Sequence, residues 1–247
     1  MSIHSGKIAL ITGANKGIGL ETARLLGRQG VTVIVGARDS EKAGKAASTL
    51  KAEGLEAVPL KLDVTSTADI QAAAAFIESK YGHLDILINN AGIIVENGFA
   101  GNNSATVAQA PLRQTFDTNF FAVVELTQAL LPLIRKSPAG RIVNLSSILG
   151  SLTLHSDPKS PIAGSKSLAY NASKTALNAF TIHLAAALKG TKIKVNSAHP
   201  GWVKTDMGGE GAQMEITDGA KTSVELALIG DDGPTGAYLH LGKPLPW

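Results

Sequence analysis

The 247-residue chain contains no cysteine, which excludes disulfides, thiolate metal sites and a cysteine nucleophile together. That absence fits a reducing compartment, and a cytoplasmic protein is the expectation. No apolar run approaches the ~20 residues a membrane span needs; even Phe120 to Ile134 is broken by Glu125, Gln128 and Pro132. The start, Met1 to Lys7, is too short and polar for a secretory leader, which leaves the Asn102-Asn103-Ser104 sequon without a glycosylation role. Net charge is only +3, with Lys and Arg scattered rather than blocked, so a nucleic-acid partner is not expected. None of the six histidines falls in an H-E-x-x-H pattern, and no metal is expected. Ser146 and Ser147 lack the flanking glycines of G-x-S-x-G, which argues against a serine hydrolase.

An apolar content of 44% and a charged content of 17% describe an ordinary globular protein,. Seven short, nearly continuous apolar segments read as strands buried on both faces: 7–13, 31–37, 57–62, 84–90, 141–146, 193–198 and 236–241,. Between them lie amphipathic stretches that predict helices over 18–29, 40–53, 67–81, 112–135, 168–188 and a shorter one after Thr217,. Such alternation predicts an α/β Rossmann fold: one doubly wound domain over 1–247, a seven-stranded parallel sheet with helices on both faces. Loops at 95–111, 151–167 and 202–217 are candidates to border a ligand site.

Tyr170-Asn171-Ala172-Ser173-Lys174 places a phenol and an ammonium four residues apart on a helix, with Cβ atoms roughly 5–6 Å apart. An ammonium so close favours the phenolate and should pull the tyrosine pKa down from about 10. A phenol tuned in this way can hand a proton to a carbonyl oxygen and take it back.

Gly13, Asn15, Lys16, Gly17, Ile18 and Gly19 form a glycine-rich turn between the first strand and the first helix. Such glycines let the backbone approach a pyrophosphate, whose charge then sits at the helix N-terminus. The second strand ends Gly36-Ala37-Arg38-Asp39. Ala37 stands where an NAD reader would carry an acid, and Arg38 follows, with Lys16 as a second cation for a 2′-phosphate; the cofactor expected is NADP(H). Asp39 reads as the cap of the next helix. Asn89-Asn90-Ala91-Gly92 offers small and amide groups where cofactor and backbone pack closely. Asn144-Leu145-Ser146-Ser147 ends the fifth strand, and Asn119, an amide inside a helix, requires a backbone or water partner.

Taken in order along the chain, TGANKGIG, NNAG, the Asn119 helix, NLSS, YNASK and Pro200-Gly201-Trp202-Val203-Lys204-Thr205 resemble the single-domain short-chain dehydrogenase/reductase family. Within it, TGANKGIG followed by GARD is similar to the NADPH-dependent carbonyl reductase branch. The resemblance implies a catalytic tetrad of Asn119, Ser147, Tyr170 and Lys174. It also implies cofactor contacts from Asp63, Val64, Asn90, Ala91 and Gly92, from the Pro200, Gly201, Val203 and Thr205 turn, and from Tyr170 and Lys174 themselves. Hydride transfer to the carbonyl of an apolar aldehyde or ketone is the implied reaction, and Ile148, Leu149, Trp202 and Met207 suggest an apolar pocket. A non-catalytic NADP(H)-binding redox sensor is the alternative. The 23 positions from Ser147 to Tyr170 exceed the family's usual spacing. The surplus at 155–167 is similar to an insertion of monomeric carbonyl reductases, so a monomer or homodimer is expected rather than a tetramer.

Overall fold

A computed structural model describes residues 4–96 and 103–247. Strands β1 (Ile8–Thr12), β2 (Thr32–Ala37), β3 (Ala57–Lys61), β4 (Ile86–Asn89), β5 (Arg141–Leu145), β6 (Lys194–Ala198) and β7 (Tyr238–His240) are the seven expected from the apolar runs. An eighth, β8 (Lys243–Pro244), extends the expected count and pairs antiparallel with β7. Two residues are too short for any period to show in sequence. The order is β3-β2-β1-β4-β5-β6-β7-β8, parallel throughout up to β7.

Alternation within the strands splits the core into two layers. Ile8, Leu10, Ile34, Leu87 and Ile142 point to one face, and Ala9, Ile11, Val33, Val35, Ile88 and Val143 to the other. Helices α3 (Thr67–Tyr81), α5 (Ala122–Ile134) and α7 (Leu168–Ala187) cover the first face through Ile70, Ile77, Leu126, Leu130 and Ala185. Helices α1 (Gly17–Arg28), α2 (Ser40–Ala52) and α8 (Ile216–Leu228) cover the second through Ala23, Leu26, Ala47, Leu50 and Leu226. Chain order reverses where β1 lies beside β4, and the crevice at their C-terminal ends is where such sheets bind ligands.

Capping follows local chemistry. The Asp39 carboxylate accepts from Glu41 N at 2.9 Å and Lys42 N at 3.1 Å, as expected, and Ser66 Oγ accepts from Asp69 N at the start of α3. At α1, by contrast, no side chain caps the first turn and no acid lies in it. Its N–H groups are left for another acceptor.

The helix expected over 112–135 is three pieces: α4 (Gln109–Phe116), a π turn at Asp117–Phe121, and α5. Helix α6 (Leu152–Ser156) fills part of the 151–167 region expected as loop, and a short 3-10 turn at Ile148–Gly150 precedes it. The expected 95–111 loop falls partly on 97–102, and the sequon's Asn102 likewise lies outside the described residues. Among the described residues no helix is long and apolar enough to cross a membrane.

Candidate active site

Thr12, the last residue of β1, organises the crevice. Its Oγ1 accepts from Asn90 N at 3.0 Å and Ala91 N at 2.9 Å, while Asn90 Nδ2 returns to Thr12 O at 2.7 Å and Gly13 O at 3.3 Å. The glycine turn is thus stitched to the end of β4. Gly13 and Gly17 hold φ of +63° and +56°, values that disfavour a Cβ. A Cβ on Gly19 would lie 2.5 Å from Asn90 Nδ2 and 2.6 Å from Gly13 O. Uncapped N–H groups on α1, glycines that keep the approach clear and a hydrogen-bonded floor fit the pyrophosphate of a dinucleotide.

Other expected cofactor residues sort by environment. Arg38 is exposed, and no carboxylate among the described residues pairs with it. Lys16 pairs instead with Asp206, an exposed contact across the crevice mouth, while Asn15 is half-buried in the same turn. Asp63 Oδ1 accepts from Thr65 N and Thr65 Oγ1, and Val64 packs into the core with Ile70. Ile18 packs against the second core layer. Thr205 accepts from Gly208 N and its methyl group faces Gly17. Val203 is buried beside Gly219 of α8, where a Cβ would come within 2.5 Å of its Cγ2. Side chains of Val64 and Val203 therefore serve packing, whatever their backbones contact.

Asn89 and Asn144 face the core. Asn89 Nδ2 donates to Asn144 Oδ1 at 2.9 Å and to Thr127 Oγ1 at 3.1 Å. Asn144 Nδ2 donates to Thr181 Oγ1 at 2.8 Å, and Thr181 shares a 2.8 Å bond with Ser197 Oγ. This buried ladder crosses β4, β5 and β6 in one register row, with each bond made between dry partners.

Beside it stand the four residues expected to form a tetrad. Asn119, fully buried in the π turn, accepts from Ile93 N at 2.8 Å and donates to Ile93 O at 2.9 Å and Ser173 Oγ at 3.1 Å. Backbone is therefore its partner, one of the two alternatives expected. Lys174 Nζ donates to Leu145 O at 2.8 Å and lies 5.6 Å from the Tyr170 ring centroid. A Cβ on Gly150 would come within 2.9 Å of the Lys174 backbone, so that glycine lets α7 close onto the 3-10 turn. Ser147 Oγ accepts from Leu149 N at 3.2 Å.

The expected fall in the tyrosine pKa is not what the structure has. Burial pushes Tyr170 up to about 12, the nearby Ser147 hydroxyl opposing it only in part. Burial also pulls Lys174 down to about 8. Desolvation penalises whichever form is charged, and here it outweighs the pull that four-residue spacing suggested.

Around Tyr170 an apolar wall is built from Leu149 and Ile162, with Ile94, Ile148, Leu154 and Met207 packed against it. Trp202 does not join it. Its indole Nε1 donates to Gly208 O at 2.8 Å and its ring lies over Gly211, with the side chain more than half exposed. Three site residues escaped sequence reading. Thr12 is visible only as the first letter of the glycine motif, Ile162 lies in the insertion, and Glu96 carries no motif at all. Glu96 Oε2 accepts from Tyr170 N at 3.0 Å and so caps the helix that bears the phenol,.

A doubly wound sheet with a glycine turn at its switch point and Ser, Tyr and Lys gathered beside it defines a dinucleotide-dependent dehydrogenase type. A family profile described as short chain dehydrogenase matches residues 7–216. Carbonyl reductase (NADPH) 1 of Mus musculus is 34% identical, covering 98% of this chain and 99% of that protein. The (-)-isopiperitenone reductase of Mentha piperita is 31% identical over 97% and 98%. Among solved structures, NADPH-bound carbonyl reductase from chicken fatty liver superposes with a TM-score of 0.83 at 28% identity, covering all of both chains. Salutaridine reductase from Papaver somniferum gives 0.81 at 29%, covering 94% and 99%. The chain belongs to the short chain dehydrogenase family.

Proposed function

We propose that the protein is an NADPH-dependent reductase of apolar aldehydes or ketones, running in reverse as an alcohol dehydrogenase. The single observation that carries this reading is that Tyr170 and Lys174, with Ser147, are buried together at the foot of an apolar wall, the Lys174 ammonium 5.6 Å from the Tyr170 ring centroid. NADPH, when bound, supplies the hydride.

The residues do the rest. Neutral Tyr170 donates its proton to the carbonyl oxygen, and Ser147 holds that oxygen by a second hydrogen bond. Lys174, anchored by Leu145 O, sets a positive charge beneath the phenol that stabilises the phenolate left behind,. Asn119 keeps Ile93 and the strand end after β4 in place. Arg38, exposed at the end of β2 and with no carboxylate partner among the described residues, would bind a 2′-phosphate,. Ile94, Leu149, Leu154 and Met207 would exclude water and hold the apolar part of the substrate,.

NADPH oxidation followed across a panel of aldehydes and ketones of graded bulk, with NADH alongside, tests this reading. Turnover of apolar members with NADPH is expected. No turnover of any carbonyl, with NADPH still bound, would instead favour a redox-sensing role. The 152–166 segment lies against the start of α7, where Asn171 Nδ2 donates to Ser165 O at 2.8 Å; this supports a monomer or dimer, which sedimentation would test.

A further inference from the structure

We infer that the His199 imidazole is a positioning residue for the reduction, fixing the turn that carries Ser147 against the Pro200-Gly201 turn of the cofactor crevice. The inference rests on the proposed roles of Ser147 and Tyr170.

His199 follows β6 directly and is buried. Its Nδ1 accepts from two backbone donors, Ile148 N at 3.2 Å and Gly201 N at 3.4 Å. One of these is the residue after the catalytic serine; the other belongs to the turn that closes the crevice. One lone pair in the ring plane thus joins the ends of β5 and β6. The serine turn is tied elsewhere through Ser146 N to Ala198 O at 2.8 Å, Thr175 Oγ1 to Gly150 O at 3.0 Å and His155 Nε2 to Leu149 O at 3.0 Å. Leu149 N donates to Ser147 Oγ and Gly150 N to Ser147 O. Those two bonds are internal, whereas Ile148 N, past the serine, reaches the ring that follows β6. On the other side, Gly201 sits at φ +92°, and a Cβ there would meet Met214 Sδ at 2.6 Å. Neither turn can slide without losing its bond to the ring.

The ring is held in the form this requires. His240 Nδ1 donates to His199 O at 2.9 Å, and the two ring centroids lie 4.8 Å apart. Burial and the neighbouring His240 push His199 down to about 3. It therefore remains neutral, with its proton on Nε2 and its Nδ1 free to accept.

Asparagine and glutamine separate position from polarity. An asparagine Oδ1 can occupy the place of Nδ1, whereas a glutamine puts its oxygen one bond further out. In His199→Leu and His199→Gln, kcat for carbonyl reduction should fall about tenfold or more, because small misplacements of reacting groups are costly. The deuterium isotope effect with NADPD should rise as hydride transfer becomes slower, and His199→Asn should recover to within about threefold. If His199→Leu does not fold, the Asn and Gln variants carry the comparison. Wild-type kcat in the Gln variant, or an Asn variant no better than Gln, would overturn the inference. Tyr170→Phe and Ser147→Ala run beside them. Full activity in that pair would sink the proposed function itself, whereas activity lost there and kept in His199→Gln sinks only the role of His199.

Discussion

Asn119 and Ile93 exchange two hydrogen bonds, the side-chain amide of one acting toward the other as a neighbouring strand would. The chain leaves β4 at Asn89 and has no ladder partner at Ile93, so an amide from the helix supplies the pairing. A π turn at Asp117–Phe121 accompanies this; such turns shift a side chain out of helical register and often mark functional sites. Replacing Asn119 with leucine leaves Ile93 N and O without their partner. Each unsatisfied buried group costs ~1–3 kcal/mol, so Asn119→Leu should lose ~2–6 kcal/mol in urea unfolding, with a lower kcat.

Tyr170→Phe removes the proposed proton donor while keeping the ring that packs with Leu149 and Ile162. Turnover should fall by ~10²-fold or more, the range lost with a general acid. NADPH binding, followed by its fluorescence, should persist. Near wild-type turnover would remove Tyr170 from the mechanism.

The pH dependence has a definite sign. Tyr170, pushed up to about 12, is a neutral donor through the neutral range, and Lys174, pulled down to about 8, keeps its charge only below that. Reduction should therefore be flat below pH ~8 and decline above it as Lys174 loses its proton, while alcohol oxidation, which needs the phenolate, should rise toward alkaline pH. For stability the two groups act oppositely. Tyr170 has a raised folded pKa, so its contribution is full below pH ~10 and is lost as pH rises through about 12,. Lys174 has a lowered one, so its contribution is full above pH ~10.4 and is lost as pH falls through about 8,. Rate profiles in both directions, with melting curves at the same pH values, check both signs.

Arg38 decides the choice of cofactor in this reading. Hydrogen bonds to charged groups contribute ~1.5–3 kcal/mol, so Arg38→Ala should raise KM for NADPH by ~10–100-fold and leave KM for NADH nearly unchanged. Equal effects on both cofactors would mean that the guanidinium does not read the 2′-phosphate.

Gly150 stands where the 3-10 turn meets α7, and its hydrogen atom faces the backbone of Lys174. Gly150→Ala should push the helix outward, costing ~1–3 kcal/mol as overpacking does. Because Lys174 moves with the helix, kcat should fall further than the stability loss explains. Unfolding curves and kcat measured on the same preparation separate the two effects.

Much of this was legible in the chain. Seven apolar runs became seven parallel strands because a strand buried on both faces needs a continuous apolar stretch,. The Asp39 cap and the glycine turn were equally readable, since each depends on atoms within a few residues. Assembly decided the rest. The π turn, the short β8, the pairing of Asn119 with Ile93 and the Glu96 cap on α7 join residues whose proximity no local spacing encodes. Trp202, expected in the pocket, lies over its own loop because Gly211 makes room for it.

The Tyr170–Lys174 pair marks the boundary. Helical spacing placed a phenol beside an ammonium, and that much is a property of the amino acids in order. How readily the phenol gives up its proton was set by how much water the surrounding elements remove, and burial moved it the opposite way from what the spacing suggested. Desolvation is a sum over every neighbour packed around a group, and only the assembled fold supplies those neighbours.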